Sequence, residues 1–194
     1  MPNYRRYRVP GGTCFFTVVT YRRRRFLTTD LGRKCLREAI ETVRKDRPFE
    51  MPAVIPLPEH LHAIWKFPPG DADYPTRWRR IKEEFTQSWL AAGGTEAPLT
   101  ASRRKRKERG IWQRRYWEHL LEEDDDYERH FDYTHYNAVK HQEANCPKDW
   151  PHSMFLRWVG HGVYDPDWGC AHRGPLDFSD LDETAMEYHL DDED

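Results

Sequence analysis

No stretch of this chain approaches the roughly 20 consecutive apolar residues that a membrane-spanning helix needs. Its basic N-terminus is also not followed by the apolar core of a secretion signal. Cysteine is scarce, and Cys14, Cys35, Cys146 and Cys170 form no Cys-x-x-Cys pair. That spacing argues against a zinc knuckle and against a disulfide framework, and predicts reduced thiols in a cytoplasmic protein. Lys and Arg are missing from the last twenty residues, Pro175–Asp194, which hold nine acidic residues. Such a segment is expected to lack fixed structure in part. No internal repeat interrupts the chain.

What is present is aromatic and charged. The 194 residues suit one domain with extensions, and 14% are aromatic although 33% are charged. A net charge of −2 hides a sharp division. Residues 1–115 carry 26 Lys and Arg against 12 Asp and Glu, a net of +14, whereas residues 116–194 carry 5 against 21, a net of −16. The asymmetry points to a nucleic-acid surface built by the first part and an acidic extension at the end.

The most informative segment is Pro58-Glu59-His60-Leu61-His62-Ala63-Ile64-Trp65. It reads as a strand, so His60 and His62 share one face with Ile64 and Lys66, while Leu61, Ala63, Trp65 and Phe67 take the other and can pack into a core. Two neutral imidazoles side by side form half of a divalent-metal site. A His-x-His pair on a strand is by itself more often surface decoration, so the assignment needs a third ligand and a reactive group.

The flanking pattern is α+β. A β-rich run at Cys14–Thr20 follows the Gly11-Gly12 turn. A helix capped by Thr28 or Asp30 is expected to reach about Arg47, with Leu31, Cys35, Ala39 and Val43 inward. Strands are expected at Ala53–Leu57 and His60–Phe67. Trp78, Ile81, Phe85 and Trp89 mark the buried face of a second helix. Ile111–Leu121 looks extended, and Asp125–Lys140 reads as a helix with acidic residues at its start. Candidate DNA contacts are Arg5, Arg6 and Tyr7 of the N-terminal arm, Arg79 and Lys82 of the second helix, and Arg104 and Arg106 of a basic loop at 93–110. Arginines hold phosphates and tyrosines stack bases; the competing readings are a solvated arm and a solvated charge block.

Tyr133 and Asn137 are four apart on the last helix and therefore neighbours on one face. Asn137 can offer an amide oxygen to a cation, completing a His60–His62–Asn137 set. Tyr133 can attack a phosphate held there, provided its phenol, with an ordinary pKa near 10, is activated.

These segments occur with Arg5-Arg6-Tyr7, Gly11-Gly12-Thr13, Asp46-Arg47-Pro48-Phe49-Glu50, Ile111-Trp112-Gln113, Tyr116-Trp117-Glu118-His119, Asn137 through His141, and Asp149-Trp150-Pro151-His152-Ser153. In that order, over about residues 4–168, the series resembles the REP-associated tyrosine transposases, bacterial relatives of the single-strand insertion-sequence transposases in the HUH superfamily. The resemblance implies a ferredoxin-like domain over 11–168, to which the charge pattern adds a basic arm at 1–10 and an acidic tail at 169–194. It implies His60 and His62 as metal ligands, Asn137 as the third, Tyr133 as nucleophile, and Mg²⁺ or Mn²⁺ as cofactor. It further implies a monomeric, nucleoid-associated enzyme whose partner is single-stranded DNA with a hairpin and a short guide flank. Two departures are Ala138, where proline is common, and the insertion-like basic loop; both bear on DNA preference more than on chemistry.

Overall fold

The computed structural model describes residues 8–181. Four strands form one antiparallel sheet: β1 (Thr13–Val19), β2 (Glu50–Pro56), β3 (His60–Lys66) and β4 (Trp117–Leu121), in the spatial order β2-β3-β1-β4. With helices α1 (Asp30–Asp46) and α2 (Tyr74–Ala91) between them, the chain order is βαββαβ. This is the expected α+β, ferredoxin-like arrangement. The remaining helices are α3 (Ala101–Lys105), α4 (Asp124–Lys140) and α5 (Phe155–Gly160). None of the described helices is long and apolar enough to cross a membrane.

The period-two alternation of the strands builds two main cores, one on each face of the sheet, beside a small third cluster of Ile55, Leu57 and Ala138. Phe16 and Val18 of β1 and Leu61, Ala63 and Trp65 of β3 face α1 and α2. There they meet Cys35, Ala39 and Val43 of α1 and Trp78, Ile81, Phe85 and Trp89 of α2, all buried. Each large side chain so buried contributes about 1.5–3 kcal/mol. Phe15 and Ile64 point the other way, onto Phe131, Tyr133, Tyr136 and Val139 of α4. Thus α4 covers the sheet face opposite α1 and α2.

Local chemistry sets the boundaries. The cap of α1 is Thr29, between the two expected residues, and its hydroxyl accepts from Gly32 N at 3.1 Å. The segment expected to be extended from Ile111 becomes a strand only at Trp117, although Trp112 makes an isolated bridge to Thr20. The Gly93-Gly94 turn depends on both glycines. Gly93 has φ +89°, and a Cβ on Gly94 would lie 2.2 Å from the Trp89 ring.

Two expectations are corrected. Cys146 and Cys170 form a disulfide, so only Cys14 and Cys35 are free thiols. The pair is distant in sequence and is brought together where α4 exits, which no local spacing could reveal. The basic loop is also not uniformly solvated. Arg103 turns inward, with its guanidinium 3.9 Å from the Tyr21 ring centroid, while Arg104 and Arg106 stay exposed. Of the acidic tail, the described part packs down: Phe178 is buried, and Leu176 N donates to Tyr136 Oη at 3.3 Å.

Candidate active site

Strand alternation puts His60 and His62 on the α4 side of β3, as expected, and both are buried. Register then supplies partners that the local sequence does not name. Thr17 lies opposite His62, and its hydroxyl is 3.0 Å from His62 Nδ1. Glu59 places a carboxylate oxygen 3.1 Å from His60 Nδ1. A carboxylate only accepts, so His60 Nδ1 is the donor in that contact, and Nε2 is the nitrogen left for a ligand. The hydrogen bond to His60 holds the Glu59 carboxyl below its usual range, and Arg25, 3.6 Å away, adds to this.

Helix α4 presents Tyr133, Asn137 and His141, four residues apart in succession, along one face. The Tyr133 ring lies 5.3 Å from that of His62, and the His141 ring 5.0 Å from that of His60. Lys140 holds its ammonium 4.8 Å from the Tyr133 ring centroid. Burial, with the Lys140 ammonium adding to it, pushes the His62 pKa well below its ordinary value. Burial lowers His141 to about 4. His62 is therefore neutral near pH 7, the form that ligates a cation.

The centre of this cluster is short of partners. Tyr133 Oη, His62 Nε2 and both amide atoms of Asn137 are buried without a hydrogen bond. Asn137 nevertheless sits close enough to His62 to favour its protonated form. A buried polar group left unsatisfied costs about 1–3 kcal/mol. Several together, all converging between β3 and α4, fit a divalent cation and an anionic oxygen. Two imidazoles and an amide oxygen form the kind of mixed nitrogen and oxygen set that holds Mg²⁺ or Mn²⁺, with imidazole biasing it toward Mn²⁺.

Tyr133 is wholly buried, and Phe178 of the acidic segment is one of the rings around it, with centroids 5.6 Å apart. Arg129 ties that segment to α4 by donating to Asp180 and to the Asp177 carbonyl at 2.9 Å.

The other sequence candidates lie elsewhere. Arg5, Arg6 and Tyr7 fall outside the described residues. Arg79 and Lys82 sit on α2, in the layer across the sheet from the histidines. Arg79 pairs with Glu83 at 3.1 Å, and Lys82 donates to the Gln113 carbonyl at 2.8 Å. Arg104 on α3 and Arg106, which caps its C-terminus, are exposed, and Arg106 also donates to Ser102 Oγ. Sequence reasoning gave no role to Thr17, Glu59, Lys140, His141 or Phe178. His141 had a signal, the next four-residue step after Asn137; Thr17 and Phe178 depend on register and long-range packing.

No family model matches the chain. A REP-associated tyrosine transposase of Escherichia coli (strain K12) is 44% identical over 169 residues, covering 87% of this chain and 91% of that protein. A Haemophilus influenzae protein bearing the same family name is 39% identical over 169 residues, covering 87% and 94%. A solved structure of a REP-associated tyrosine transposase bound to a REP hairpin matches with a TM-score of 0.74, at 44% identity, over 92% of this chain and 96% of that one. Identity at this level, maintained over nearly the full length of the relatives, shows that the chain belongs to the REP-associated tyrosine transposases.

Proposed function

We propose that this protein cleaves and rejoins single-stranded DNA beside a REP-type hairpin, through a 5′-phosphotyrosine formed on Tyr133. The observation that carries the reading is the convergence of unpartnered buried atoms on Tyr133, His62 and Asn137. What sets these atoms apart from other unpartnered buried groups, such as those of Tyr21 and His135, is that a phenol, an imidazole and an amide meet at one place between β3 and α4. The family names of the relatives, and the REP hairpin in the related structure, support the substrate class.

His60, His62 and Asn137 would hold the divalent cation, which when bound polarises the phosphate and offsets charge in the transition state. Glu59 and Thr17 orient the two imidazoles from behind. Tyr133 Oη attacks phosphorus, and the bond from phosphorus to the 3′ oxygen breaks. The 3′ oxygen leaves as a hydroxyl, so the phenolic proton is accounted for on the product side. The Lys140 ammonium near the ring favours negative charge developing on the phenol oxygen. A returning 3′-hydroxyl reverses these steps and rejoins strands, because the phosphate remains an ester throughout. Tyr133 is enclosed and Phe178 lies against its ring, so a shift of the segment bearing Phe178 would widen the access of DNA to it.

His62 and Tyr133 of one chain already face each other, which supports catalysis within one subunit and a monomer. The exposed Arg104 and Arg106 of the 93–110 loop would meet the DNA backbone, and the arm with Arg5, Arg6 and Tyr7 the flank of the hairpin. Arg79 and Lys82, across the sheet and already bonded to Glu83 and the Gln113 carbonyl, would contribute less to DNA binding. Labelled single-stranded hairpin DNA should form an adduct stable on a denaturing gel with the native protein and none with Tyr133→Phe. Cleavage unchanged in that variant would indicate a nuclease using water. Tight binding by the native protein without any cleavage would indicate a hairpin-binding regulator.

A further inference from the structure

The Tyr116-Trp117-Glu118-His119 segment has no role in the chemistry above, yet the fold brings it beside the active site. Thr17 of β1 pairs with His62 on one side and with Trp117 on the other. His62, Thr17 and Trp117 therefore form a single row across the sheet, on the α4 face, and Trp117 stands two strand spacings, about 10 Å, from His62. Strand β4 is the edge of the sheet, with no strand beyond it among the described residues. Trp117 is half-buried there, and the exposed Arg114 and Arg115 precede it in the chain.

The orientation of the Trp117 ring is fixed by a stack. His119 lies 5.6 Å away at an interplanar angle of 14°, and His130 of α4 lies 6.5 Å away at 16°. The two histidines also stack on each other at 4.8 Å and 22°. Asp126, in the first turn of α4, ties the group together: one carboxylate oxygen is 2.8 Å from His119 Nε2 and the other 2.9 Å from His130 Nδ1. Phe15 meets the Trp117 ring edge-on at 5.7 Å. A large aromatic ring is thus held in one plane at the edge of the sheet, in the same row as His62, a few residues after two exposed arginines in the chain. Single-strand binding sites combine the same parts, a basic track and a fixed ring on which a base stacks.

We propose that Trp117 is the stacking platform for a nucleobase of the single-stranded flank close to the scissile phosphate, with Asp126 and the two histidines positioning its ring. The ligand is an unpaired base, taken by its face and so with little preference among bases. The proposal rests on the reading of Tyr133 and the histidine pair as the cleavage site, and its test does not depend on the chemistry.

The test uses the full chain with Tyr133→Phe, so that DNA stays intact, and measures affinity by fluorescence anisotropy on hairpins carrying one abasic nucleotide at each flank position in turn. One position should lose affinity about 10-fold when its base is removed. Trp117→Leu should cost the same on the intact DNA and show no further loss with the abasic DNA, and Trp117→Phe should restore most of the dependence. Asp126→Asn should reduce it in part. A merely structural Trp117 would lower affinity for every DNA alike and leave the abasic penalty intact in Trp117→Leu, which overturns the proposal. So does the absence of any base-dependent position. Either failure leaves the adduct formed by the native protein, and hence the cleavage reading, untouched; a missing adduct removes that reading without altering the affinity result.

Discussion

His135 lies two residues from Tyr133 but packs away from the His60–His62 pair, among Phe131, Phe155 and Tyr164. Both of its ring nitrogens are buried without a partner, and burial holds its pKa down to about 3. In the unfolded chain the same group titrates near 6.5. Its contribution is therefore whole above pH 6.5 and is lost as pH falls toward 3, because only the unfolded state takes the proton easily. His135→Met should remove that sensitivity. Urea midpoints at pH 7.5 and 5 should show the native protein losing about 2 kcal/mol more than the variant, and parallel losses would show that His135 is not the sensitive group. Asn137 makes the complementary case. Asn137→Leu should raise Tm in EDTA by several degrees, since about 1–3 kcal/mol of unsatisfied amide is removed and each kcal/mol is worth about 2–4 °C at this size. Mn²⁺ should raise Tm of the native protein and leave Asn137→Leu unmoved; equal shifts in both would exclude Asn137 as a ligand.

At the level of elements, α4 does two jobs, since one face carries Tyr133 and Asn137 while its neighbours Phe131 and Tyr136 close the second core. The segment bearing Phe178 then packs over it. Phe178→Ala should lower stability by about 3 kcal/mol yet speed adduct formation, because it loosens what encloses Tyr133. A slower reaction in a variant that remains folded would mean that Phe178 assists catalysis and does not obstruct it. What the sequence made legible here was whatever repeats over a few residues. The α1 and α2 stripes, the shared face of His60 and His62, and the four-residue step from Tyr133 to Asn137 follow from helix and strand periods alone. The Thr17–His62 contact, the Cys146–Cys170 bond and the Phe178 cover join residues far apart in the chain. They depend on sheet register and on how the chain returns after α4, which no local period encodes. The segment expected to be extended over Ile111–Leu121 is a strand only in its second half for a related reason: Ile111 and Trp112 are buried by the first core, where Trp112 makes a single bridge to Thr20.

For the whole molecule, charge is divided along the chain while the site is built from both halves. His60 and His62 come from the basic part and Tyr133 and Asn137 from the acidic part. DNA recognition is accordingly expected to lean on the basic half. Replacing Arg5 and Arg6 with alanine should weaken binding most for a hairpin with its correct flank. If both contact phosphates of a single strand, the slope of log affinity against log salt should fall by about 1.4. Unchanged isotherms on matched and scrambled flanks would remove the arm from recognition. The central claim is chemical, however, and peptide mass mapping of the protein after incubation with single-stranded hairpin DNA tests it most directly. The expected result is a nucleotide joined through its 5′ phosphate to the peptide containing Tyr133, formed with Mn²⁺ and absent in EDTA. Cleaved DNA with no modified peptide, or a nucleotide on any other residue, would contradict the account.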